Sequence, residues 1–415
     1  MKSFSFIHAA DLHLGSPFVG VAERQSAMAE ALKAATFQAF EILIETCLED
    51  PVDFLLVAGD VFDRAHGSVR AQLAFRDGLD KLSNHGIRTF VVFGNHDPRE
   101  AWLRKLSWPE KVHIFSSRDV ETEIVSKNGV PVATVSGISH PHQRELRNLS
   151  ERFTAKRPDL FQIGLLHGNC GGQPGHDAYA PCTVEGLSEK GFDYWALGHV
   201  HTRKILKMDP HIVYPGCSQG LSIRETGARG CYRVMVDESQ RVSQTFIMLD
   251  KVRWAAAGVS IEGVKTLDAL EQALGAEAES MHQNGDGRLV IGRITLTGRG
   301  PLYKDLRRDD AVEALLLRLK QTGKTMKPTT WIIDLQVDCM PDMDLARRRE
   351  ADDLVGQLLR SADDLHPKKF TETALGALFE NRRLRPYLST LSPLDLQRLV
   401  QEAQRLCIDL LEPDS

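Results

Sequence analysis

The chain has 415 residues, of which 42% are hydrophobic and 26% charged, and a net charge of −5. That balance excludes a disordered or fibrous chain and a uniformly basic surface for nucleic acid. It leaves room for two or three domains, and for a local basic groove or a bound cation that holds phosphate. Seven cysteines without any CxxC spacing exclude a disulfide framework and a zinc ribbon. With no leader-like N-terminus and no run of 18 apolar residues, a reducing cytoplasm and no membrane span are expected.

The first segment, FSFIHAADLHLG, reads as a buried strand that ends in Asp11 and His13. A helix is expected from Val21 to Leu48, before Pro51, and a strand from Phe54 to Ala58 that ends in Gly59-Asp60 and Asp63. A second helix, about Arg70 to Asn84 with Gly86 as its C-cap, leads into strand Ile87 to Phe93, which delivers Gly94-Asn95-His96-Asp97. From Val112 to Ser139 the strands shorten, and Lys127-Asn128-Gly129 predicts a hairpin. The apolar runs QIGLLHG and YWALGHVH end in His167 and in His199 and His201. Between them Gly168 to Pro181, rich in Gly and Pro, is a loop. Strands around Ile212 and from Tyr232 to Asp237 close a first domain, residues 1–250. Residues 251–340 alternate strand and helix as a small α/β domain, and 341–415 are helical, with helices starting near Met343, Phe370 and Ser392.

Five strands thus carry polar residues at their C-terminal ends, the edge at which open α/β sheets bind ligands. The donors are carboxylates, imidazoles and one carboxamide. Lacking thiolates, such a set favours hard or borderline ions, Mn²⁺, Mg²⁺, Fe²⁺ or Zn²⁺. Seven candidate ligands among Asp11-x-His13, Gly59-Asp60, Gly94-Asn95-His96-Asp97, His167-Gly168 and Gly198-His199-x-His201 are too many for one ion and suit two that share a carboxylate, an arrangement used for in-line attack on phosphorus. Gly59, Gly94, Gly168 and Gly198 are expected to supply unusual backbone angles at the turns.

The motifs DLH, GDVFD, GNHD, LLHG and GHVH, in that order, resemble the calcineurin-type metallophosphoesterase superfamily over roughly the first 240 residues. The resemblance implies a four-layer α/β/β/α sandwich, with one metal held by Asp11, His13, Asp60 and His201 and the other by Asp60, Asn95, His167 and His199. It also implies that His96 is a catalytic acid rather than a ligand, that Asp63 orients it, and that Arg64 binds phosphate. The combination of DLHLGSPF, GDVFDRA, YAPCTVEGL and YPGCSQGLSIRETGARGCY with an extra C-terminal region is similar to the SbcD-type DNA-repair nuclease subunits, in particular their YhaO-like branch. Where that branch carries a basic pair, this chain has Leu221-Ser222. The implied activity is a Mn²⁺-dependent 3′ to 5′ DNA exonuclease, with endonuclease activity left open, a capping domain at 251–340, and an SbcC-like coiled-coil ABC-type ATPase as partner. Homodimerisation is left open.

Other residues have plainer readings. His8 is an ordinary core or surface residue, His140 and His142 lie near the site or shape a turn, with the turn preferred, Asp97 supports the GNHD turn rather than binding metal, and Arg347-Arg348-Arg349 is a solvated helix face. In the last helix, Leu396, Leu399, Val400, Ala403, Leu406, Cys407 and Leu410 form an apolar stripe that has to be covered, either by preceding helices around Leu375 to Phe379 and Leu384 to Leu388 or by the ATPase. Competing functions are a small-substrate phosphodiesterase or phosphatase and a catalytically silent subunit that binds DNA or the ATPase.

Overall fold

The structure, a computed structural model, describes residues 2–18, 26–63, 68–98, 107–173, 175, 177–363, 376 and 393–411. The chain divides into two compact units. The first comprises Met1–Ala256, Glu279–Arg293 and Gly323–Ile333; the second comprises Ala257–Ala278, Ile294–Thr322 and the described residues from Asp334 on.

The first unit begins with the strand-helix rhythm expected from the sequence. Strands β1 (Phe4–Ala9), β2 (Phe54–Ala58), β3 (Arg88–Val92) and β4 (Val112–Ile114) run parallel, with helices Ser26–Glu49 and Val69–Asn84 between the first three. The expected start of the first helix at Val21 lies outside the described residues. Ser68 caps the second helix by accepting from the Ala71 amide, and Gly86, at φ 85°, follows its C-cap His85. Strands β5 (Glu121–Lys127) and β6 (Val130–Ile138) form the predicted hairpin, and Asn128 and Gly129, at φ 51° and 75°, make the two-residue turn that a right-twisted ribbon favours. Then come β7 (Phe161–His167), β8 (Tyr194–Gly198), β9 (Lys204–Met208), β10 (His211–Tyr214), β11 (Gly230–Val236) and β12 (Val242–Met248). They complete two six-stranded sheets, ordered β12-β11-β1-β2-β3-β4 and β5-β6-β7-β8-β10-β9.

Side chains alternate along each strand and so fill different layers. On one face of β2, Leu55 and Val57 pack with Phe40, Leu43, Phe75 and Leu79 of the two helices. On the other, Phe54 and Leu56 join Phe6 and Phe90 against Ala133, Ile163, Leu165 and Tyr194 of the second sheet. The outer face of the second sheet, Leu166, Trp195 and Leu197, is covered by Leu149, Phe153 and Leu187 from a 3₁₀ turn and a short helix. Helices, sheet, sheet, helices is the four-layer order. Both strands missing from the sequence reading, β9 and β12, lie at sheet edges and are half exposed, so their apolar residues do not alternate cleanly.

A third sheet, β13 (Val252–Ser260), β14 (Leu289–Thr297) and β15 (Thr330–Val337), has helices Leu267–Gln283 and Asp309–Thr325 in its connections. The second unit ends in helices Leu345–Glu350, Leu354–Asp363 and Pro393–Leu411; the helix expected near Phe370 and the segments around Leu375 and Leu384 lie outside the described residues. Among the described side chains of the last helix, Ile408, outside the predicted stripe, is buried against Val355 and Leu359. Leu399, Leu406 and Leu410 of the stripe are 36%, 57% and 71% exposed.

Candidate metal centre

The seven predicted ligands follow the C-terminal ends of β1, β2 and β3 in the first sheet and of β7 and β8 in the second. The loops after β1 and β2 are laced together: Asp11 N donates to Gly59 O at 3.0 Å, His13 N to Asp60 O at 3.0 Å and Leu14 N to Val61 O at 2.9 Å. The price is backbone strain, because Asp11, His13, Asp60 and His199 all have positive φ, at 51°, 44°, 48° and 98°. Among the four glycines only Gly59, at φ 87°, fits the expected role. Gly94 and Gly198 are needed for room instead. A Cβ on Gly94 would lie 2.2 Å from Asp60 Oδ1, and one on Gly198 would lie 1.8 Å from the Ala58 carbonyl oxygen.

Two groups of donors result. Asp11, His13 and His201 offer ligand atoms within 4.8 Å of one another, and so do Asp60, His167 and His199. Asn95 Oδ1 stands 3.1 Å from both His167 Nε2 and His199 Nδ1. Asp60 lies between the groups, with Oδ2 3.3 Å from His167 Nε2 and 3.9 Å from His13 Nε2. The outer nitrogen of each of three histidines is occupied: His167 Nδ1 faces Ala58 O at 2.9 Å, His199 Nε2 faces Asp177 O at 2.8 Å, and His201 Nδ1 meets Glu225 Oε1. Outer acceptors of this kind fix the tautomer and leave the inner nitrogen bare for a metal.

The electrostatics ask for cations. Asp11 and Asp60 are both 1% exposed. Burial pushes the Asp11 carboxyl up to about 6, against the pull of His167 and His201. Burial would raise Asp60 too, but the charge and hydrogen bond of His167, with His13 and His96, hold it well below the usual range. Burial would lower His167, yet Asp60 and Asp11 lift it to about 9. His13 Nε2 and His201 Nε2 face each other at 3.2 Å, two ring nitrogens whose lone pairs a cation between them would satisfy together. The oxygen and nitrogen donors therefore fit two divalent ions of hard or borderline character.

His96 lies at the mouth of this cluster, its side chain 39% exposed and its Nδ1 3.6 Å from Asp63 Oδ1. Asp63 in turn lifts the imidazole to about 9, over the opposing effect of burial. His96 N donates to Asp60 Oδ1 at 2.9 Å, so the turn after β3 is tied to the loop after β2. His13, Asp63 and His96 also fall within 4.8 Å as a third potential ligand group, so proximity alone does not separate acid from ligand. Arg64 lies outside the described residues. Asp97 supports the turn: its carboxylate accepts from Val61 N at 2.6 Å, Phe62 N at 3.0 Å and Gly94 N at 2.8 Å.

The sequence reading preferred a turn for His140 and did not single out Glu225, yet both lie near the centre. His140 is not a simple turn former. It is fully buried, its Nε2 2.8 Å from the His167 carbonyl oxygen and its ring 5.4 Å from that of His167, and burial lowers it to about 4. His142 is exposed, as a turn residue should be. Glu225, behind His201, belongs to a loop whose sequence shows no periodicity.

Residues 4–203 match the family model of the calcineurin-like phosphoesterases, and residues 254–340 match the model for the middle domain of metallophosphoesterase YhaO. Over 302 residues the chain is 37% identical to the uncharacterized metallophosphoesterase YhaO of Bacillus subtilis (strain 168), covering 72% of this chain and 73% of that one. The chain belongs to the calcineurin-like metallophosphoesterases. A solved structure of a dimetal phosphatase from Danio rerio, LOC 393393, is similar to 59% of this phosphoesterase, with all but 1% of its own chain covered, at 12% identity and a TM-score of 0.35. Membership makes this a metal-dependent phosphoester hydrolase and agrees with a donor set for two divalent ions. No helix among the described residues is long and apolar enough to cross a membrane.

Proposed function

We propose that this phosphoesterase is a Mn²⁺-dependent DNA nuclease of double-strand-break repair, a 3′ to 5′ exonuclease with endonuclease activity left open, working in the cytoplasm with an SbcC-like coiled-coil ABC-type ATPase. One observation carries the choice of a polymer substrate. A cluster of donors able to hold metal occurs in one chain with a long C-terminal region that opens with a match to the YhaO middle-domain model, and a small phosphoester needs no such added surface.

Asp11, His13, Asp60 and His201 would hold one ion, and Asp60, Asn95, His167 and His199 the other, with Asp60 shared. Bound there, two divalent ions supply an activated water and Lewis-acid stabilisation of charge on the phosphoryl oxygens. The protein's own part in the chemistry falls to His96. Its Nδ1 is turned to Asp63, which leaves Nε2 to give a proton to the departing oxygen of the cleaved ester. Asp97 keeps the turn bearing Asn95 and His96 against the loop bearing Asp60. The exposed leucines of the last helix, Leu399, Leu406 and Leu410, give the ATPase an apolar surface to dock on.

The test compares linear DNA with bis(p-nitrophenyl) phosphate, with and without Mn²⁺. Mn²⁺-dependent release of nucleotides from DNA ends supports the proposal. Turnover of the aryl diester without DNA cleavage would replace it with a small-substrate phosphodiesterase, and inactivity on both with two ions bound would point to a silent binding subunit.

A further inference from the structure

The loop that follows β10 reaches back to His201 three times. Cys217 N donates to the His201 carbonyl oxygen at 3.1 Å, Arg229 Nη1 donates to the same oxygen, and Glu225 Oε1 meets the ring at Nδ1. Glu225 is itself held in place. Its second oxygen, Oε2, accepts from Leu221 N at 2.5 Å, and its own amide donates to Ser222 O at 2.9 Å. Trp254, 1% exposed, anchors the loop from behind, giving its indole N–H to Gly220 O at 2.9 Å and accepting at its carbonyl from Gly227 N at 3.0 Å. Gln219 bonds the same loop to Val252 through both ends of its amide, at 2.7 and 3.1 Å.

Of the three outer acceptors around the centre, two are backbone carbonyls and only this one is a charged side chain. A carboxylate is the chemically required choice, because both of its oxygens face N–H donors, His201 Nδ1–H and Leu221 N–H. A glutamine could accept from one and would aim its NH₂ at the other. Cys217 also lies within 4.8 Å of His201 and Glu225. With both carboxylate oxygens already accepting, however, the trio is not a further ion site.

We propose that Glu225 is a positioning residue for one metal only: it fixes His201 with the proton on Nδ1 and the bare Nε2 turned to His13, and thereby sets the affinity of the ion held by Asp11, His13, Asp60 and His201. The proposal rests on His201 being a ligand, as assigned above. Its consequence is an asymmetric centre, in which the ion of Asn95, His167 and His199 does not depend on Glu225.

The test is a Mn²⁺ titration of the full chain, followed by electron paramagnetic resonance, which counts free Mn²⁺ and distinguishes an exchange-coupled pair from an isolated ion. Wild type should take up two ions and show the coupled pair. Glu225→Gln should keep one ion at wild-type affinity and bind the other about 10–100-fold more weakly, the usual effect of losing such a partner, so that an isolated-ion signal appears at stoichiometric Mn²⁺. Glu225→Asp, which keeps two acceptor oxygens, should recover part of the affinity even if Glu225→Gln melts early. Adding Glu225→Gln to His201→Ala should weaken binding no further, since the two act on one site. Two ions bound at wild-type affinity in Glu225→Gln, equal weakening of both, or Glu225→Asp binding no better than Glu225→Gln would each overturn the role of Glu225. A wild-type chain that binds fewer than two ions would instead overturn the ligand assignment beneath it.

Discussion

His167 donates from Nδ1 to the carbonyl oxygen of Ala58, 2.9 Å away, so a histidine at the end of β7 in the second sheet is fixed by the backbone of β2 in the first. The metal centre therefore straddles the sheet interface, and changes that spread the sheets should disable it without touching a ligand.

Gly198→Ala is the sharpest such change, since its Cβ would meet the Ala58 carbonyl at 1.8 Å, and backbone cannot swing aside. We expect a loss of about 1–3 kcal/mol in stability from overpacking and weaker metal uptake. Gly275→Ala is the control: it lies inside helix Leu267–Gln283 with nothing within 4 Å of its would-be Cβ, and it should stabilise by about 0.5–1 kcal/mol. Chemical denaturation and Mn²⁺ titration of both variants decide the matter; a harmless Gly198→Ala would show that the two sheets have slack at this point.

Asp97 should prove structural. Its carboxylate serves three backbone N–H groups across two loops, and Asp97→Asn can serve them with one oxygen only. Stability should fall by about 1–3 kcal/mol, the penalty for stranding a buried donor, and metal affinity should fall with it. Normal stability with lost activity would instead give Asp97 a chemical role.

His8 makes stability depend on pH. It is buried, with Nδ1 3.1 Å from the Tyr194 hydroxyl and Nε2 3.1 Å from Leu197 O, and burial lowers it from 6.5 to about 3. The unfolded chain then binds a proton that the folded chain refuses. His8's contribution is whole above about pH 6.5 and is lost as pH falls toward 3, by up to about 1.4 kcal/mol per unit. Denaturation of metal-free protein at pH 7.5 and 5.5 should show a drop that is smaller in His8→Gln. Equal drops in both proteins would mean that other groups carry the effect.

At His96 chemistry and binding should separate. His96→Asn should retain both ions and DNA affinity while the cleavage step slows about 10²–10⁴-fold. Asp63→Asn should be milder and should move the alkaline limit of activity downward, because Asp63 is what keeps the imidazole charged. Loss of an ion from His96→Asn would make it a ligand.

The last helix offers a division of labour between neighbours. Ile408→Ala should destabilise its unit by about 2–5 kcal/mol, since it packs on Val355 and Leu359. Leu406→Glu with Leu410→Glu should change stability by less than about 0.5 kcal/mol each and abolish co-purification with the proposed ATPase partner. Precipitation of the double variant would return those leucines to the fold.

The clustering of the candidate donors was legible in sequence because they stand at or just after the ends of runs such as FLLVA and QIGLLH, whose burial and strand character are local properties. Glu225 was not, because it lies 24 positions beyond His201 in a loop with no period, and only the fold behind Trp254 brings it to Nδ1. His140 was misjudged for a related reason: SHPH looks like a turn, and the parallel pairing of β6 with β7 is what buries it beside His167. The glycines misled in a different way, since three of the four are required by what lies opposite them rather than by their own φ.

The order of the donors along the chain has a consequence for biosynthesis. Asp11, His13, Asp60 and Asn95 all precede residue 100, whereas His167, His199 and His201 come after residue 160 and from the other sheet. A growing chain has two carboxylates, one carboxamide and one imidazole among these donors for much of its synthesis, short of the proposed set for either ion. If these donors hold the ions as proposed, loading waits until β7 and β8 have met the first sheet, so a loaded centre reports that the two sheets have joined, whether or not β9 to β12 are yet in place.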